Sequence, residues 1–324
     1  MKKRMMALAI LLLTLFSTGC LTETIQYDVY VTVYPLQYVT EQMFVSTPFI
    51  VGIVPGVTSH QDSVDWSPKE IIAMTEASYL FYVGANYDQY IDLQIESIFT
   101  SKNVELVKIE EQSDYITYIP GIIDDHAHDE TSTVLAENPD TLGLDPHFWI
   151  SPLQLLKVAD LIHDKLVLAY PEYVDTLDAN YADLVTRLTA LSDDFAETIA
   201  HQTKDMMTST NLYGYLRNDY GLEYISVSPG YHEETEQFTT TEKEEIVQEA
   251  ILHNITSLFY EKYTTSPLTD AVFAELANLG YNPVKVEYNI LQALSDELRS
   301  EGEDYISIME QNLAAIRLAI TTEE

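Results

Sequence analysis

Short apolar runs and longer helical patterns alternate along the chain. Runs with the composition of β-strands occupy residues 27–33, 48–53, 78–83, 104–108, 222–228, 255–260 and 283–288. Between them lie longer stretches whose apolar residues recur at helical spacing. Such alternation is typical of βα units, in which parallel strands form a sheet flanked by helices. The pattern therefore predicts an α/β fold with mainly parallel sheets.

Several helix starts are encoded locally. Ser67 precedes a proline and stands three residues before Glu70, the pattern of a capping box with proline at the first helical position. Ser151 repeats this arrangement, since a proline follows it directly and Gln154 stands three residues after it. Further helix starts are predicted at Thr241 with Glu244, at Ser266 with Pro267, and at about Glu303.

One long helix separates the two groups of strands. Between Pro171 and Gln202, leucines and other apolar residues recur at spacings of three, four and seven. About thirty residues at a rise of about 1.5 Å make a helix of about 45 Å, longer than a small lobe is wide. We therefore predict two α/β lobes joined by one long spine helix. The predicted boundaries are a signal peptide at 1–19, an amino-terminal lobe at 20–172, the linking helix at 173–203 and a carboxy-terminal lobe at 204–324.

The first twenty residues predict export. A basic start is followed by an apolar run from Met5 to Phe16, which is shorter than the ~20 residues that a membrane-spanning helix needs. Such a run, ending at small residues, is typical of a signal peptide. Cys20 is the single cysteine of the chain and directly follows Gly19. We interpret Cys20 as the acylation site of a bacterial lipoprotein anchored to the outer face of the cell membrane, with ordinary secretion as the alternative.

The net charge of −36 narrows the range of partners. So negative a surface repels nucleic acid and anionic lipid and concentrates cations nearby. A solvated acidic surface explains most of this charge, so the charge alone does not indicate a metal site. No glycine-rich phosphate loop, nucleophile elbow or cysteine-based metal motif occurs in the sequence. We expect a monomer that binds no nucleic acid.

Two of the eight histidines stand in matching contexts. His60 lies within GVTSHQDSVDWSP and His147 within LDPHFWISP, each in a loop shortly before a Ser-Pro helix start. Loops that follow the strands of an open α/β sheet line the ligand crevice, and neutral imidazole is a good ligand for zinc and similar ions. Structural roles are favoured for three others, which lie within or at the ends of predicted helices: His163, His201 and His253.

At this point the sequence resembles the metal-binding receptors of bacterial zinc and manganese ABC transporters. The resemblance runs from about Tyr27 to Ile320 and is carried by VTVYPL, GVTSHQDSVDWSPKEIIAMTEASYLFYVGANYDQYI, LDPHFWISP and GEDYISIMEQNLAAI. It implies two α/β lobes joined by one long helix, with the metal between them. It also implies that His60 and His147 are ligands. Many zinc-binding members carry a His-rich acidic loop before the DPH segment. The segment that contains His126 and His128 looks like a short version of that loop. A solvated acidic loop with two incidental histidines is an equal alternative.

The second half departs from the family pattern. The resemblance places the third ligand, a His or Glu, at Thr210 and the fourth, a carboxylate, at Gln292. We interpret Thr210 as a helix cap. Because a closed zinc site needs four ligands, other residues must complete it if metal binding is retained. We select His232, in the loop after strand 222–228, as the second-lobe ligand, and Glu261, after strand 255–260, as a weaker candidate that could instead pair with a lysine.

The predicted function is metal binding rather than catalysis. The chain is expected to hold a divalent transition metal, Zn²⁺ in preference to Mn²⁺ because imidazole-rich sites suit zinc, and to deliver it to an ABC transporter permease. A receptor-like adhesin or accessory lipoprotein with weak metal binding is the first alternative. A metal-dependent hydrolase with Asp62 as general base comes last, because it lacks any further signature.

Overall fold

The structure of the chain, a computed structural model, describes residues 25–56, 64–100, 102–121, 143–231 and 239–321. Two four-stranded sheets, one in each half of the chain, form its framework. All their strand pairs are parallel. This confirms the predicted α/β class with two parallel-sheet lobes.

The first sheet has the strand order β2-β1-β3-β4. Its strands are β1 (Val29–Val31), β2 (Val51–Ile53), β3 (Tyr79–Tyr82) and β4 (Glu105–Lys108). β1 and β3 are buried along their whole length, as expected for central strands covered by helices on both faces.

The second sheet repeats this arrangement with the order β6-β5-β7-β8. Its strands are β5 (Met206–Thr208), β6 (Tyr224–Ser226), β7 (Ser257–Glu261) and β8 (Val284–Tyr288). The ligand crevice of such sheets lies outside the carboxyl ends of the strands. The segments that follow β5, β6 and β7 are therefore the second-lobe candidates for a site.

Ten α-helices connect and cover the sheets in the described residues. They are α1 (Tyr34–Met43), α2 (Pro68–Thr75), α3 (Gln89–Asp92), α4 (Pro152–Ala169), α5 (Val174–Ala200), α6 (Gly214–Tyr220), α7 (Thr240–Leu252), α8 (Pro267–Asn278), α9 (Asp296–Ser300) and α10 (Tyr305–Ile320). Short 3₁₀ turns at Ile109–Glu111, Phe148–Ile150 and Pro171–Tyr173, and a π-helical turn at Ile95–Phe99, complete the list.

The start of α2 follows the predicted capping box. The backbone N–H of Ser67 donates to Glu70 Oε2 at 2.7 Å, and the backbone N–H of Glu70 donates to Ser67 Oγ at 3.4 Å. Both bonds satisfy amide groups that the first helical turn leaves without intrahelical partners. The hydrogen bonds from Ser67 lower the pKa of Glu70.

The predicted start of α7 was wrong by two residues. The capping box uses Thr239 and Glu242 rather than Thr241 and Glu244. In both pairs a threonine stands three residues before a glutamate, so the local pattern does not distinguish the two possible helix starts. In the structure the helix starts at the earlier pair.

The capping role predicted for the Ser151 side chain was also wrong. Ser151 precedes α4, but its hydroxyl makes no cap hydrogen bond and donates instead to Asp219 Oδ2 at 2.6 Å. The Gln154 amide donates to the same carboxylate, at 2.8 Å to Oδ1. Because Asp219 lies in α6, these bonds fasten the start of α4 to the second half of the chain.

The 27-residue α5 is the predicted spine. Its buried face carries Leu177, Leu184, Leu188, Leu191, Phe195 and Ile199. These side chains belong to one large core that also contains Phe81 of the first sheet and Tyr288 of the second. The spine helix therefore packs into a core that the two halves share, which opposes independent motion of the two sheets.

No helix of the described residues is long and apolar enough to cross a membrane. The predicted signal peptide at 1–19 and the predicted acylation site Cys20 lie outside the described residues. Both remain predictions.

Candidate metal centre

The structure describes one of the three predicted metal ligands. His147 lies immediately before the 3₁₀ turn Phe148–Ile150. His60 and His232 lie outside the described residues, as do His126 and His128. The candidate centre is therefore built here around His147.

Asp145 holds the imidazole of His147 in place. Asp145 Oδ1 lies 2.9 Å from His147 Nδ1 and also accepts the backbone N–H of His147 at 2.9 Å. His147 is 3% exposed and Asp145 is 1% exposed. A carboxylate that accepts a hydrogen bond from Nδ1–H selects the tautomer whose lone pair is on Nε2. Nε2 is thus the nitrogen available to a metal ion.

Asp145 is in turn fixed by both lobes. Its backbone N–H donates to the carbonyl of Ile119 at 2.9 Å. Its backbone carbonyl accepts the hydroxyl of Tyr215, in α6, at 2.8 Å. The orientation of His147 therefore depends on a tyrosine of the second lobe. Sequence reasoning missed Asp145, although an acidic residue two positions before a candidate histidine was a visible signal.

Three aromatic side chains surround His147. The ring centroids of Tyr87, Trp149 and Tyr231 lie 5.9, 5.4 and 4.9 Å from that of the imidazole. Tyr87 belongs to the first lobe, whereas Tyr231 follows β6 in the second. His147 therefore lies buried between the lobes among aromatic rings, where electrostatic interactions are less screened than at the surface.

Tyr231 brings a buried hydroxyl to this group. Its hydroxyl is buried and has no hydrogen-bond partner among the residues that the structure describes. Burial, reinforced by the Asp145 carboxylate, raises the pKa of Tyr231 above its ordinary value. The side chain is thus a neutral phenol.

A carboxylate and two hydroxyls meet in the second lobe. Glu261, at the end of β7, is 3% exposed. Thr210 Oγ1 donates to Glu261 Oε1 at 2.8 Å, and the Ser209 hydroxyl donates to Oε2. The interpretation of Thr210 as a helix cap was wrong, because α6 begins at Gly214 with Tyr213 as its cap residue. The role of Ser209 was missed because β5, the strand that ends just before it at Thr208, was not among the strands predicted from the sequence.

The segment around Gln292 contacts the first lobe through its backbone. The carbonyl of Gln292 accepts the N–H of Tyr34 at 3.1 Å, and the carbonyl of Ile290 accepts Trp149 Nε1–H at 2.9 Å. Trp149 is therefore held from the second lobe while its ring contacts His147.

No group of three or more His, Cys, Asp or Glu side chains close enough to hold a metal ion is found in the described parts of the chain. What they supply is one oriented imidazole at the boundary between the lobes. Its donor chemistry fits zinc, which His nitrogen binds at about 2.0–2.1 Å.

Comparison with known proteins identifies the family. The family model "zinc-uptake complex component A periplasmic" (ZnuA) matches residues 29–319. This chain belongs to the ZnuA family. The resemblance drawn from the sequence motifs is thereby confirmed, and the family is one of binding components of uptake systems rather than enzymes.

Curated relatives of this family share about a quarter of their residues with the chain. The zinc-binding lipoprotein AdcA of Streptococcus pneumoniae is 25% identical over 292 residues, which are 90% of this chain and 55% of that protein. The high-affinity zinc uptake system protein ZnuA of Bacillus subtilis is 24% identical over 298 residues, which are 88% of this chain and 85% of that protein. The chain thus spans about half the length of the AdcA proteins that it matches.

Solved structures confirm the fold of the ZnuA family member described here. The Zn(II)-bound ZnuA-like domain of Streptococcus pneumoniae AdcA superposes with a TM-score of 0.68 at 22% identity, covering 91% of this chain and 99% of that one. The periplasmic zinc-binding protein TroA of Treponema pallidum superposes with a TM-score of 0.67 at 14% identity, covering 91% of this chain and 100% of that one. Likeness at these identities establishes the two-lobe architecture.

Proposed function

We propose that this chain captures a divalent transition-metal ion, zinc in preference to manganese, and delivers it to the permease of an ABC transporter. The observation that carries the proposal is the buried His147–Asp145 pair at the boundary between the lobes, which leaves Nε2 as the metal-binding nitrogen. Membership of a family of zinc-uptake components supports it.

His147 is proposed to act with His60 of the first lobe and His232 of the second. Imidazole ligands favour zinc over manganese, which prefers carboxylate oxygen. Because a ligating imidazole must be unprotonated, protons compete with the metal, and affinity should fall as the pH is lowered. The ion is the cargo of this protein rather than a resident cofactor, so it must also be released.

Anchoring through an acyl chain on Cys20 completes the proposal. A lipid anchor on the outer face of the membrane would hold the receptor near its permease. The relative from Streptococcus pneumoniae is itself named a lipoprotein. Mass spectrometry of protein recovered from membranes would detect the acyl groups, and their absence together with free secretion would contradict this part.

Metal titration tests the central claim. The metal-stripped protein is titrated with zinc and with manganese by calorimetry, alongside His147→Ala and His60→Ala. We expect tight one-to-one zinc binding that either substitution abolishes, because each removes a ligand. His163→Ala serves as the control, since His163 Nε2 is paired with Asp178 at 2.8 Å within the α4–α5 pair, away from the cleft.

Two outcomes would contradict the proposal. Absent or millimolar zinc binding by the unsubstituted protein would favour an adhesin-like role instead. Tight binding that survives His147→Ala would place the site elsewhere.

A further inference from the structure

Tyr231, which lies in the second lobe, contacts the His147 ring. Its ring centroid lies 4.9 Å from that of His147, with the ring planes inclined by 60°. It follows β6, at the carboxyl end of the second sheet, where ligands of parallel sheets are bound. Its position is therefore that of a contact to whatever His147 holds.

The hydroxyl of Tyr231 has no partner within the described residues, unlike those of Tyr215 and Tyr224. Tyr215 donates to the Asp145 carbonyl at 2.8 Å, and Tyr224 donates to Asn211 Oδ1 at 2.5 Å. The Tyr231 hydroxyl is equally buried but has no such bond within the described residues. A buried polar atom without a partner is costly, and at a binding site it calls for a bound group as its explanation.

The closeness of the two rings is the geometric basis for a contact between this hydroxyl and a bound ion's ligand shell. A zinc ion lies about 2 Å beyond the nitrogen that binds it, and the two ring centroids are less than 5 Å apart. Where the protein supplies fewer than four ligands, as in catalytic zinc sites, a water fills the remaining position. A neutral phenol is a good hydrogen-bond donor to such an oxygen and a poor direct ligand.

We propose that the Tyr231 hydroxyl donates a hydrogen bond to the water or hydroxide that completes the coordination of the ion on His147. Tyr231 then links the second lobe to the oxygen ligand of the ion. The cost of its unpartnered hydroxyl is relieved when the ion and its oxygen ligand arrive. This inference rests on the proposed metal-binding function.

Tyr231→Phe in the full chain tests the proposal, because it removes the oxygen and keeps the ring. Zinc affinity is measured by calorimetry, and the stability of the metal-free protein by thermal unfolding. We expect zinc affinity to fall about 3- to 10-fold, the worth of one hydrogen bond. The melting temperature of the metal-free protein should stay the same or rise, since an unsatisfied polar atom is removed.

Tyr213→Phe is the matched control. The Tyr213 hydroxyl is also buried without a partner in the described residues, but its ring packs against Tyr224 and Tyr288 rather than His147. This substitution should leave zinc affinity unchanged.

The outcomes separate this inference from the function on which it rests. If the unsubstituted protein binds zinc tightly and His147→Ala does not, an unchanged affinity in Tyr231→Phe overturns the role of Tyr231 alone. Parallel losses of affinity and metal-free stability in Tyr231→Phe would indicate packing and overturn it too. An unsubstituted protein that binds no zinc overturns the proposed function itself.

Discussion

At the scale of single residues, the candidate centre depends on a histidine whose second nitrogen is already occupied. Asp145 accepts hydrogen bonds from both the ring and the backbone of His147. An imidazole held in this way loses little rotational freedom on binding a metal. On the proposed function, Asp145 acts on the ion through His147.

Asp145→Asn should weaken zinc binding about tenfold, because the amide keeps the shape but removes the charge behind the imidazole. Calorimetric titration of the metal-stripped protein measures the effect. Asp178→Asn is the control, since Asp178 forms a carboxylate–imidazole pair with His163 outside the cleft. Equal affinities for Asp145→Asn and the unsubstituted protein would show that His147 is not a ligand or is oriented by packing alone.

Asp88 is a second buried carboxylate of the first lobe. It accepts the Thr32 hydroxyl at 2.7 Å and the backbone N–H groups of Val83 and Gly84 at 2.7 and 2.9 Å. It thereby joins the ends of β1 and β3, the strands behind the candidate centre. Burial raises the pKa of Asp88 to about 6, and the three hydrogen bonds only partly oppose that rise.

The raised pKa of Asp88 predicts a pH dependence of stability. A carboxyl group whose pKa is higher in the folded state favours folding most when protonated, so its contribution is full below about pH 4 and is lost as the pH rises through about 6. The excess stability of the unsubstituted protein over Asp88→Ala should therefore shrink by up to about 3 kcal/mol between pH 4 and pH 7. Urea unfolding with a chelator present measures it, and an excess that grows with pH would contradict the assignment.

At the scale of elements, local signals place most helices and strands but not every side-chain role. The capping box of α2 was predicted because its partners are three residues apart. The hydroxyl of Ser151 was misassigned because its partner Asp219 is 68 residues away. Thr210 was misassigned for the same reason, since Glu261 follows it by 51 residues.

The register of α7 can be tested with two neighbouring threonines. Thr239→Ala should lower the free energy of unfolding by about 1 kcal/mol, because it removes the side chain that accepts the N–H of Glu242. Thr241→Ala, inside the first turn and exposed, should change it little. Chemical denaturation of both variants decides between the two helix starts. A larger loss of unfolding free energy in Thr241→Ala than in Thr239→Ala would support the start predicted from the sequence.

At the scale of the whole molecule, the two lobes are joined by more than the spine. The Tyr305 hydroxyl donates to the Trp149 carbonyl at 2.7 Å, while Trp149 Nε1–H donates to Ile290. The rings of Tyr38 and Tyr305 stack with centroids 5.6 Å apart. A shared core and these direct bonds make wide opening of the lobes costly, so we expect metal exchange to proceed through rearrangement of loops at the cleft.

The amino-acid sequence by itself determined the class of fold, the long helix between two sets of strands, and His147 as a candidate ligand. These features depend on the spacing of nearby residues and on motifs within one segment, and both can be recognised in the sequence without the fold. The tertiary structure alone decided that Asp145 orients His147, that Tyr215 and Tyr231 reach this site from the other lobe, and that Thr210 bonds to Glu261. Each of the last three contacts joins residues at least 50 positions apart, and only the packing of the two sheets around one core brings such residues together.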